Sequence, residues 1–202
     1  MKIVKRILLL TLAILLLTLI INYPKLNIIA GYSAKNTASS VFLGERSLSF
    51  TDTTDNNFSP VNLATNAIDK EKKTANSSVF GLLNRKSIIR EGLGSVLTLD
   101  KKDEKSNYKT PKRRKTVNDT IPYPYGNGSH KDSVFESIDY KKLNETVNSI
   151  FGVRKTRAVL VLYKDQIIAE KYSEGFTKDS RILGWSMTKS IMSTVFGILE
   201  HQ

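Results

Sequence analysis

Hydrophobic positions along this 202-residue chain fall into three regimes. The first is an unbroken apolar run from Ile7 to Ile21, built only of Leu, Ile, Ala and Thr. Lys2, Lys5 and Arg6 precede it, uncharged residues continue through Pro24, and Lys25 ends it. These 18 uncharged residues approach the ~20 that a helix needs to cross a bilayer. The leading positive charges favour an N-terminus left in the cytoplasm, with Tyr23 near an interface. A cleavage site wants small residues at two positions one apart. Ala30 has Ile28 at that spacing and Ala34 has Tyr32, so an uncleaved signal anchor over residues 1–24 is the expectation, with a cleaved signal peptide as the rival.

The second regime is polar. Residues 23–76 are rich in Asn, Thr and Ser, with short apolar islands such as Val41-Phe42-Leu43. They read as a stalk or a loosely built β-containing lead-in. From Ser77 the pattern tightens: Val79 to Leu83, then Asn84-Arg85-Lys86, then Ser87 to Arg90, reads as two short strands joined by a turn. Gly92 and Gly94 interrupt before another apolar run, Val96 to Leu99. Residues 100–135 form a basic connection punctuated by Pro111, Pro122, Pro124, Gly126 and Gly128.

The third regime, residues 136–202, is the most regular. Asp139 can cap a helix whose Tyr140, Leu143, Val147, Ile150 and Phe151 share a face, and Gly152 suits its end. Ala158 to Tyr163, a Lys164-Asp165 turn and Gln166 to Tyr172 predict a β-hairpin, more buried on its first strand than on its second. After a loop, a second amphipathic helix begins near Trp185, with Met187, Ile191, Met192, Val195, Ile198 and Leu199 on its apolar face. The expected order is helix, hairpin, loop, helix, in an α+β fold.

Composition narrows the chemistry. Cysteine is absent, which excludes disulfide scaffolds, lipoprotein anchors, thiolate zinc sites and cysteine nucleophiles. Only His130 and His201 could serve a histidine-dependent site. The net charge of +12 is uneven: residues 101–135 carry +5, and 136–202 carry +2. The run Lys112-Arg113-Arg114-Lys115 lies in that basic block, but no aromatic residue interrupts the run itself to stack bases. With an export signal upstream, it reads as a solvated loop and not as a nucleic-acid site. Attraction to anionic lipid or cell-wall polymer is the alternative.

One motif carries reaction chemistry. Ser186-Met187-Thr188-Lys189 stands at the mouth of the last helix, with Ser and Lys one turn apart on one face. A serine hydroxyl needs a base to become a nucleophile. A lysine amine can act as that base when burial disfavours its charged form. The free amide donors of a helix N-terminus favour an anionic centre at the serine. With 20 serines and 22 lysines, about two such spacings arise by chance. The other match is Ser106-Asn107-Tyr108-Lys109, in the basic loop with no amphipathic helix after it. Ser186 as a plain helix cap with a solvated Lys189 is the bland alternative.

The stretch Arg181 to Ser190, following Glu170-Lys171-Tyr172 and Glu174-Gly175-Phe176, resembles the active-site serine region of the β-lactamase and penicillin-binding superfamily. The likeness is to its class C-like serine hydrolases, including esterases and 6-aminohexanoate-dimer hydrolases. It covers about residues 136–202. Weaker similarity to membrane-anchored bacterial members appears at Gly31 to Asn36, Arg90 to Gly94 and Pro122 to Gly126.

The resemblance implies that Ser186 is the acylated nucleophile and Lys189 its general-base partner. It implies an amide or ester substrate, an acyl-serine intermediate and no cofactor or metal. Together with the patterns above, the expected organisation is a transmembrane signal anchor (1–24), a polar lead-in with short β elements and a basic loop (25–135), and, by the resemblance, the N-terminal part of the hydrolase domain (136–202). The family's Tyr-x-Asn and Lys/His-Thr/Ser-Gly motifs lie downstream of the serine helix and are not in these 202 residues. A truncated, inactive chain is therefore expected. The expected location is the bacterial cytoplasmic membrane, single-pass, with the C-terminal part periplasmic. Two alternatives stay open: an anchored, non-catalytic scaffold that binds through its basic segment, and a peptidoglycan D,D-carboxypeptidase-like enzyme.

Overall fold

The computed structural model describes residues 2–105, 107–112, 120–123, 125–126, 128–130, 134–153 and 155–201. The chain is a mixed α+β protein that divides into two units: Met1–Pro111 with Arg181–Gln202, and Lys112–Ser180.

The first unit begins with helix α1, Lys2–Asn22, long and apolar enough to cross a membrane and buried nowhere against protein. Its 21 residues span about 32 Å, close to the hydrocarbon thickness of a bilayer. The two threonines within it donate back to the carbonyls of Ile7 and Ile14, at 3.0 and 2.8 Å, which satisfies their hydroxyls without water. Helix α2, Lys25–Ala38, follows at once. Pro24 lies between them in helical conformation (φ −61°), where its missing N–H costs little because it opens a new helix. Leu26 and Asn27 then close tight turns back to the carbonyls of Tyr23 and Pro24.

Beyond α2 come a π-helical turn, Ser39–Leu43, a single turn α3, Leu48–Phe50, and four strands: β1 (Ala64–Asp69), β2 (Thr74–Val79), β3 (Leu82–Arg90) and β4 (Gly94–Thr98). The strands form one antiparallel sheet in sequential order, and α2 packs across it. A short helix α4, Lys101–Lys105, follows β4.

The lead-in is therefore not a stalk. Its Ser, Thr and Asn residues form a hydrogen-bonded interface between helix and sheet. Ala30, Gly31, Ser33, Ala34, Asn36, Thr37 and Ala38 are all buried on α2. A Cβ on Gly31 would stand 3.1 Å from Leu97, so glycine here sets how closely helix and sheet approach. Ser33 Oγ donates to Asn66 Oδ1 at 2.6 Å, Ser77 Oγ donates to the same oxygen, and Asn66 Nδ2 donates to Asp52 at 2.7 Å. Asn36 Nδ2 donates to Asn56 Oδ1 at 2.8 Å, and Asn56 Nδ2 donates to Thr37 at 3.0 Å. Buried polar groups that are all paired in this way rigidify a core that apolar patterning does not announce.

The strand turn also differs from expectation. The sequence places it at Asn84-Arg85-Lys86, but those residues lie inside β3, with Lys86 opposite Thr98. The turn is Phe80-Gly81, with both residues at positive φ (+54° and +71°), the geometry that matches the twist of a two-residue hairpin.

The second unit holds α5 (Tyr140–Val153) and the hairpin β5 (Ala158–Tyr163) and β6 (Gln166–Tyr172). Asp139 caps α5 by accepting the Lys142 N–H at 3.0 Å. Lys164 and Asp165 take positive φ, again a two-residue hairpin turn. Helix α5 packs on β6 with Val147 buried, while Phe135 meets the Tyr163 ring edge-on at 5.0 Å. β5 is not the more buried strand: Leu160 and Leu162 are both exposed.

Candidate active site

The last helix, α6, runs from Met187 to His201 in the first unit. Trp185, just ahead of it, takes positive φ (+47°) and turns the chain into the helix. Its ring lies 5.3 Å from that of Tyr32 on α2 and 5.7 Å from that of Phe58, and Tyr32 meets Phe58 edge-on at 5.8 Å. Three aromatic rings thus fix the entry to α6 against the anchor-linked helix. Ser186 occupies the next position. Its carbonyl already accepts the Lys189 N–H at 3.0 Å, so it stands at the helix mouth.

The two candidate residues come together. Lys189 Nζ donates to Ser186 Oγ at 3.0 Å. The contact puts the two candidate residues in direct hydrogen-bond reach, with the lysine as donor. Both side chains are exposed. A shallow groove beside them is lined by Thr188, Lys189, Met192, Ser193 and Phe196, all on α6. The apolar face expected to be core is uncovered too: Met187 is 71% exposed, Ile191 64% and Leu199 61%.

Tyr32 is the phenol tied through its ring to the Ser186 turn. Burial, and secondarily the negative charge of Asp55, push its pKa up to about 12. It is a neutral phenol at physiological pH and a poor general base.

The sequence did not single out a cavity of about 650 Å³ in the second unit. Its walls include His130, Ile168, Glu170, Tyr172, Phe176 and Lys178. The Tyr172 hydroxyl donates to Glu170 Oε1, and that hydrogen bond, more than burial, raises its pKa to about 12. A tyrosine and glutamate alternating along a strand carry no distinctive spacing, so only the fold reveals the pairing.

Of the other singled-out residues, Ser106 of the second Ser-x-x-Lys match lies outside the described residues, as do Pro124 and Arg113, Arg114 and Lys115 of the basic run. The start of the basic block is tied to β3. Lys86 pairs with Glu104 of α4 at 2.7 Å, and Arg90 donates to the Asp103 carbonyl. Among the described residues no group of three or more His, Asp or Glu side chains could hold a metal ion. No family model, curated protein or solved structure matches this chain.

Proposed function

We propose that the chain is part of a membrane-anchored, extracytoplasmic serine hydrolase of the β-lactamase type, acting on an amide or ester. The observation that carries this reading is the 3.0 Å contact of Lys189 Nζ with Ser186 Oγ at the mouth of an apolar-faced helix. Ser186 Oγ attacks the substrate carbonyl carbon while its proton passes to the lysine amine. The tetrahedral oxyanion collapses, the leaving group takes the proton, and an acyl-serine remains for water to hydrolyse. The exposed apolar face of α6 supports a site completed by further polypeptide laid over that face, since such a helix is stable when buried.

The test is hydrolysis of a chromogenic ester by the protein produced from its native gene. Ser186→Ala is expected to lower kcat by at least ~10³-fold. Lys189→Arg should not rescue a Lys189→Ala loss, because a guanidinium does not give up its proton. Full hydrolysis by Ser186→Ala would remove the nucleophile assignment.

A further inference from the structure

The sheet of the first unit has two ends of opposite chemistry. Lys35 and Ser95 are bonded both ways, Lys35 Nζ to the Ser95 carbonyl at 2.6 Å and Ser95 Oγ to the Lys35 carbonyl at 3.0 Å. Four residues nearer to α1, Gly31 faces Leu97. The helix step is about 6 Å and the strand step about 7 Å, so β4 runs back along α2 toward α1. Strand pairing carries this direction across the sheet. Lys86 lies opposite Thr98, Leu82 opposite Val79, and Val79 opposite Ala64. Leu63, the Phe80-Gly81 turn, Leu82 and Leu99 therefore share the end from which α1 departs.

The reach is sufficient. Gly81 is five residues beyond Lys86, about 16 Å of strand, whereas Pro24 is seven residues from Gly31, about 10 Å of helix. Lys86, opposite Thr98, already lies nearer to α1 than Gly31, so the hairpin tip reaches at least the level of Pro24, where α1 ends. Its side chains are apolar and open: Phe80 is 70% exposed, Leu99 73%, Leu82 46% and Leu63 45%. Nothing in the packing of the sheet calls for a phenylalanine at φ +54°. The opposite end holds the charged turn Asp69-Lys70-Glu71-Lys72-Lys73 and the Arg90-to-Gly94 turn, where Leu93, 50% exposed, is the one large apolar side chain.

We propose that this end of the sheet seats on the phospholipid headgroup region of the bilayer that α1 crosses, with Phe80, Leu82 and Leu99 entering the interface. The proposal rests on α1 as a membrane anchor, and its occupant follows from that continuity. A bilayer around α1 meets the turn at Pro24 and the exposed apolar rim together. Aromatic and aliphatic side chains at the headgroup level gain from burying apolar surface there. The helix-on-sheet unit then stands upright on the membrane with its charged turn outermost.

The chain has no cysteine, so single thiols report single sites. Full-length Phe80→Cys, Leu99→Cys, Lys70→Cys and Ile14→Cys variants are labelled with an environment-sensitive fluorophore. They are then reconstituted in phosphatidylethanolamine–phosphatidylglycerol vesicles. Acyl-chain nitroxide lipids are expected to quench the label at position 14. Headgroup nitroxide lipids are expected to quench labels at 80 and 99 several-fold more than the label at 70. Quenching at 14 with equal, weak quenching at 80, 99 and 70 overturns the proposal and leaves the anchor standing. Labels at 80 and 99 that are shielded from water yet unquenched indicate a protein partner and also overturn it. No quenching at 14 removes the anchor and this proposal with it.

Discussion

The Trp185 ring lies 5.3 Å from the ring of Tyr32, which joins the turn that presents Ser186 to the helix that continues the membrane-length segment. The residue before the candidate nucleophile is thus held by a helix more than 150 positions earlier in the chain. Trp185 is also the only tryptophan. Its emission reads this cluster alone. Phe58→Ala removes a ring 5.7 Å away and should red-shift the emission while costing about 1–2 kcal/mol of unfolding free energy. An unchanged spectrum would mean that the rings do not hold the turn.

The same cluster carries a pH dependence. Tyr32 ionises near 10.0 when unfolded and at about 12 in the fold. Between those values the unfolded state has released a proton that the folded state retains, so stability falls as pH rises. The contribution is complete below pH 10 and lost through pH 12. Thermal melts across that window should show a steeper alkaline decline for the native protein than for Tyr32→Phe.

The polar core makes its own prediction. Asn66 accepts from Ser33 and Ser77 and donates to Asp52. Asn66→Leu keeps the bulk but strands those partners, and should cost about 1–3 kcal/mol in chemical denaturation. If the variant is as stable as the parent, the polar network does not hold the helix to the sheet.

Membrane attachment is separable from the chemistry. Deleting residues 2–22 should move the protein from the alkali-resistant membrane fraction to the soluble one, since α1 contributes no buried contact to the folded unit. Retention in the alkali-resistant fraction after that deletion would contradict α1 as the anchor.

The readable part of the sequence was the part built on large apolar residues. Val147, Phe151 and the aliphatic run at Val159 to Leu162 announce α5 and the hairpin because their periods are unmistakable. Helical spacing puts Ser186 and Lys189 on one face, but on spacing alone a helix cap with a solvated lysine is the favoured reading. The helix-on-sheet packing of the first unit was not legible, because its interface is made by Ala30, Ser33, Asn36, Thr37, Ser77 and Ser87, small or polar residues that read as solvated. Phe80 misled for the converse reason. It looks like strand core, yet it sits in a left-handed turn and points outward. The exposure of α6 was equally hidden, since an amphipathic pattern says which face wants burial and not whether a partner is present.

The central claim is that Ser186 becomes acylated with Lys189 as its proton acceptor. Its most direct test is mass spectrometry of the protein, produced from its native gene and treated with a fluorophosphonate probe. The account predicts one adduct, on the peptide carrying Ser186, formed ~10²–10⁴-fold more slowly in Lys189→Ala. An adduct on another residue, or undiminished labelling in Ser186→Ala, would contradict it.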